Sequence, residues 1–180
     1  MVSDDLDPQL VRRLAVAGVQ LVDKAQSWHQ RAIATTLRLL SGGRTDRYLT
    51  TYVTTIGRRI YVPSDFAKWP SEQREAILHH ELVHVAQFER WGLVPMALAY
   101  VLLPFPVGLA WCRMRLEREA YEESIRIAYE RGGRAFTDAL REGIITRFTG
   151  PDYLWMWPFR RSLEAWFDRF VDGLASQQRP

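Results

Sequence analysis

Five consecutive residues, His80-Glu81-Leu82-Val83-His84, have the types and spacing to bind a metal ion and use it. In a helix, positions four apart stand one turn above each other, so His80 and His84 can both aim a ring nitrogen at a single zinc ion. Glu81 leaves such a helix on an adjacent side, where its carboxylate can reach a water on the metal and take its proton. Zinc brings the pKa of that water down toward ~7, so a carboxylate is base enough. Neutral imidazoles also leave positive charge on the metal to polarise a scissile carbonyl, which a site rich in thiolates would quench. The purely structural alternative has both histidines packing against the core and Glu81 pairing with an arginine such as Arg74 or Arg113.

A catalytic zinc site needs a third protein ligand and one open position. Downstream, Leu116-Glu117-Arg118-Glu119-Ala120-Tyr121-Glu122-Glu123 offers two glutamates. They lie about 200° apart around a helix, so only one can face the ion. Here the sequence resembles the gluzincin metallopeptidases, whose third ligand is a glutamate on a later helix, in a Glu-x-x-(Ala/Ser)-(Asp/Asn) pattern. The resemblance implies that Glu117 is the ligand and that Ala120 is the small residue that lets two helices approach; Glu119 is the competitor. It departs at Tyr121, where the family carries an acid that receives a hydrogen bond from a ligating imidazole. Tyr121 itself or Glu122 is left for that task.

The stretch Thr55 to Pro63 resembles the edge strand that small gluzincins, including the minigluzincins, set beside the cleft. It implies capture of an extended peptide by strand addition, against the plainer reading of a hairpin that buries Ile60 and Val62. The family also places a Tyr or His opposite the metal. Tyr153, in the aromatic run from Tyr153 to Phe159, is the candidate for that oxyanion contact, with core packing or a cover over the cleft as other uses of the run. The resemblance covers Thr50 to Arg131. It implies a zincin-like fold, Zn2+ as cofactor and hydrolysis of a peptide or protein substrate.

Several elements must position these residues. Asp7-Pro8 starts a helix, and Leu10, Leu14, Ala17, Leu21, Ala25 and Trp28 recur with helical spacing, which predicts a long first helix within 1–43, continuous or broken near Gln26, that runs to Leu40 and is stopped at Ser41-Gly42-Gly43. Thr, Tyr, Val and Ile from Tyr48 to Val62, broken by Gly57, predict two short strands joined by a tight turn and closed by Pro63. Ser71 begins the motif helix, which runs to Arg90 or Trp91 before Gly92. A charged helix follows from Leu109 to Arg131, ended by Gly132-Gly133. The last helix starts near Pro158 and buries Leu163, Trp166, Phe167, Phe170 and Leu174 along one stripe. The expected fold class is α+β, mainly helical, with a small hairpin or sheet before the motif helix and a glutamate helix after it. The expected organisation is one domain over 1–180, with a metal-site core at 48–131 and a packing segment at 132–180.

With 180 residues and 47% hydrophobic content, the chain can bury a substantial core. Its net charge of +3 comes from arginines dispersed among acids, which argues against a nucleic-acid surface. The single Cys112 cannot form an internal disulfide and reads as a buried small hydrophobe, and the acidic start Met1-Val2-Ser3-Asp4-Asp5 is unlike a signal peptide. A cytoplasmic location is the expectation. Between Arg90 and Arg113 lie 22 residues without a charge. A single membrane crossing there would part His84 from Glu117, and Pro95, Pro104, Pro106 and Gly108 interrupt the helix it would need. Leu103 to Gly108 reads as a turn between two apolar limbs. The segment 91–112 is then either a buried hairpin or a protrusion that touches a membrane face through Trp91, Tyr100, Phe105 and Trp111.

His79, turned about 100° from His80, reads as an outer or surface residue, and His29 as structural. Arg113, Arg115 and Arg118 read as a solvated ion-pair face. The function expected is a zinc metallopeptidase with His80, His84 and Glu117 as metal ligands and Glu81 as base. A catalytically silent zinc-binding module and a membrane-surface protein with a vestigial site are the rivals.

Overall fold

The computed structural model describes residues 5–27, 52–101, 110–150 and 155–177. His29, the Ser41-Gly42-Gly43 stop, the Leu103 to Gly108 turn and Tyr153 lie outside the described residues. The chain is α+β, mostly helical with one three-stranded sheet. It gathers into two compact units, Met1–Arg90 and Trp91–Pro180.

In the first unit, helix α1 (Pro8–Val16) starts where expected. Asp7 accepts from the Gln9 amide at 3.0 Å, and Pro8 occupies the first turn, where it removes no needed donor. The helix ends much earlier than the apolar periodicity predicts. Gly18 adopts φ 62°, and the amides of Gly18 and Val19 donate to the carbonyls of Ala15 and Leu14, both at 3.0 Å, closing a Schellman motif. The chain then extends as β1 (Gln20–Asp23), followed by a 3-10 turn at Lys24–Gln26. Leu21 and Val22 suit a strand as well as a helix, and a sheet partner decides between them.

That partner is β3 (Arg59–Val62), which pairs parallel to β1, with Leu21 opposite Ile60 and Val22 opposite Tyr61. The hairpin expected around Gly57 is present: β2 (Thr54–Ile56) runs antiparallel to β3 with Ile56 opposite Arg59. The order β1-β3-β2 puts β3 at the centre. Ile60 and Val62 pack with Leu6, Leu10, Phe66, Leu78, Leu82 and Val85 in the core of this unit.

Helix α2 (Ser71–Trp91) is the motif helix, and it spans the range that the sequence predicts. At 100° per residue, Leu78, Leu82 and Val85 fall within about 60° of one another and face the core. His80, His84 and Gln87 form a second stripe on the opposite side of the same helix, by the same arithmetic. The start of α2 is clasped by the N-terminal arm. The Asp7 amide donates to Glu75 Oε1 at 2.9 Å, and buried Arg74 bonds Asp5 and the Trp69 carbonyl. Arg74 is therefore used structurally.

The second unit contains α3 (Leu93–Val101), α4 (Ala110–Thr149) and α5 (Arg160–Gln177). Gly132-Gly133 does break α4: Gly133 sits at φ 63°, ψ −151°, a conformation essentially reserved for glycine. The chain then resumes as helix to Thr149, where the sequence suggested only a connection. Its apolar residues Ile144, Ile145 and Phe148 gain their burial from α5, through Leu163, Trp166, Phe167 and Val171. Phe170 and Leu174 complete the expected stripe as partly buried neighbours. Arg141 grips Asp168 with two parallel bonds of 2.9 and 3.0 Å between α4 and α5.

Of the uncharged segment, α3 exposes Leu93, Val94 and Leu98 while burying Met96. Among the described residues, no helix is long and apolar enough to cross a membrane. Cys112 is half-buried. In the aromatic run, Met156 and Trp157 join the core of the second unit, whereas Trp155 and Phe159 are exposed.

Candidate metal centre

The i, i+4 spacing on α2 brings the His80 and His84 rings into an edge-on arrangement with centroids 5.0 Å apart. Their Nε2 atoms are 3.2 Å apart. Two nitrogens bound tetrahedrally at 2.0–2.1 Å from one ion stand about 3.3 Å from each other, so this separation suits a shared metal. One ligand atom from each of His80, His84 and Glu117 lies within 4.8 Å of the others, and this is the one such three-residue group among the described residues. Glu119 is not part of it. His84 and Glu117 are buried and His80 is half-buried, so little water competes for their donors. The group can hold a metal ion, and two neutral imidazoles with one carboxylate form a donor set typical of divalent first-row metals.

Glu81, also buried, accepts a 2.6 Å hydrogen bond at Oε2 from the hydroxyl of Thr55 on β2. The sequence did not single out Thr55; only the hairpin brings it there, across 26 residues of chain. Lys24 was missed for the same reason. Its fully buried ammonium donates to the Tyr52 carbonyl at 2.9 Å and feels the charge of Glu81. Burial is the larger influence and pulls its pKa down to about 8.

Gln87 is a third residue that the motif does not announce. It is fully buried, and its Oε1 lies 2.9 Å from His84 Nδ1. Its signal was legible: a polar residue three positions after a motif histidine, on the same helical stripe.

The two residues named for the imidazole contact are engaged within the second unit. The Tyr121 hydroxyl accepts from Arg147 at 3.1 Å, and its ring packs on Phe148 at 5.4 Å. Glu122 Oε1 accepts from Trp166 Nε1 at 2.8 Å. Arg118 keeps the expected ion pair, its Nη2 standing 4.0 Å from Glu122 Oε1, but it lies half-buried over the Trp166 ring at 4.8 Å instead of fully solvated. His79 is buried rather than on the surface, with Nδ1 3.1 Å from Arg13 Nη1.

In comparisons with known proteins, no family model matches this chain, and no curated protein or solved structure matches it either.

Proposed function

We propose that this protein is a zinc-dependent peptidase of zincin-like, gluzincin type. The observation that carries the reading is the convergence of ligand atoms from His80, His84 and Glu117 within 4.8 Å, with Glu81 next to His80 in sequence. His80, His84 and Glu117 hold the ion, three protein ligands being the number that leaves a catalytic site one open position. When bound, zinc supplies Lewis acidity toward water and the scissile carbonyl. The chain's own residues do the rest. Glu81 takes the proton of the attacking water and later delivers it to the leaving amine, a general base that becomes a general acid. The Thr55 hydroxyl fixes one oxygen of that carboxylate, so its rotamer is set before substrate arrives. The substrate is a peptide in extended form, in keeping with the short strand β2 beside Glu81. A cytoplasmic setting accompanies the reading, since the only cysteine has no second thiol in the chain.

The test combines metal content with turnover. Purified wild type should carry one zinc per chain, Glu117→Ala should lose it, and Glu119→Ala should keep it. Glu81→Gln should keep zinc while peptide hydrolysis falls by about 100-fold or more. Undiminished hydrolysis in Glu81→Gln would remove the proposed base. Wild type without zinc, even after resupply, would remove the metal reading.

A further inference from the structure

A histidine that gives Nε2 to a metal must keep the lone pair there, so the ring proton has to sit on Nδ1, where it needs an acceptor. His84 is buried and cannot rely on bulk water for that acceptor. At 2.9 Å from its Nδ1 lies Oε1 of Gln87, a side chain with no solvent exposure. Three residues apart on α2, the two side chains project from the same stripe, and the helix itself fixes their spacing.

We infer that Gln87 is a positioning residue: its amide oxygen accepts the Nδ1 proton of His84 and thereby presents the Nε2 lone pair toward His80 Nε2, 3.2 Å away. The inference rests on the zinc reading of His80, His84 and Glu117. The choice of an amide has a chemical consequence. A carboxylate at this place would also fix the tautomer but would push electron density through the imidazole onto an ion that already carries the charge of Glu117. The neutral amide orients His84 without reducing the ion's Lewis acidity. Gln87 thus takes, from within α2, the task that the sequence assigned to Tyr121 or Glu122 on α4.

The experiment measures zinc affinity by competition with a chromophoric chelator for wild type, Gln87→Leu, Gln87→Met and Gln87→Glu, with His80→Ala as the control that lacks a ligand. Circular dichroism checks folding, and Gln87→Met serves if Gln87→Leu does not fold. In parallel, nitrogen-15 shifts of His84 in the metal-free proteins report which ring nitrogen carries the proton. The expected result is a Kd for zinc raised about 10- to 100-fold in Gln87→Leu and Gln87→Met, with Gln87→Glu close to wild type because it keeps an acceptor. The wild-type His84 spectrum should show the proton on Nδ1, and that preference should fade in Gln87→Leu.

Wild-type affinity in both apolar variants would overturn the inference and leave the zinc site standing. Gln87→Glu as weak as Gln87→Leu, with the proton on Nε2 in wild type, would also overturn it, since the amide would then be donating. A wild type that binds no better than His80→Ala would instead sink the zinc reading and this inference with it.

Discussion

Lys24 is a buried charge that the proposed chemistry leaves unused, and its energetics can be read against pH. Burial holds its folded pKa at about 8, against an ordinary value of 10.5. Between those values the unfolded chain keeps the proton that the folded chain has shed, so stability rises with pH across this window. Below pH 8 the cost of the buried ammonium is felt in full. Urea unfolding of wild type and Lys24→Met at pH 7 and pH 10 isolates the effect, because the other titrations are shared. Wild type should gain on the variant by up to about 3 kcal/mol as pH rises. A difference that stays constant with pH would mean that Lys24 titrates alike in both states. Glu81 belongs to the same neighbourhood, and its hydrogen bond from Thr55 explains how a buried carboxyl group is kept in place.

Among the elements, the early stop of α1 has the clearest consequence. Gly18 adopts φ 62°, yet among the described residues a Cβ there would meet only Arg58 Nη1 at 3.6 Å and Cδ at 3.8 Å, an ordinary contact. Gly18→Ala therefore costs backbone strain and no clash, about 1 kcal/mol in denaturant unfolding. Gly143 is the contrast. It lies exposed within α4, and a methyl group added there would meet nothing within 4 Å among the described residues, so Gly143→Ala should stabilise by up to about 1 kcal/mol. Equal effects at the two positions would contradict the cap assigned to Gly18. The cap matters beyond α1, because it releases the chain into β1, which pairs with β3 and ends at Asp23, one residue before Lys24.

For the whole molecule, a metal that binds the folded chain and not the unfolded one adds stability by mass action, about 2.7 kcal/mol at a free concentration 100-fold above Kd. Zinc should raise the thermal midpoint of wild type, a chelator should reverse the rise, and His84→Ala should show neither change. A midpoint indifferent to zinc in wild type would count against the site. Much of this protein was legible in its sequence. The i, i+4 spacing of His80 and His84 on one helix, the span of α2, the hairpin at Gly57, the break at Gly132-Gly133 and the apolar stripe of α5 all follow from periodicity, caps and glycine, signals that act over a few residues. Three features were decided only by tertiary structure. Strand β1 replaced the predicted helix because a distant strand offered it backbone partners, the second half of α4 acquired its buried face from α5, and Thr55 met Glu81 from 26 residues away. Each depends on contacts between segments far apart in the chain, whose energy no local pattern carries, because the same apolar residues satisfy helix or strand until a partner surface selects one.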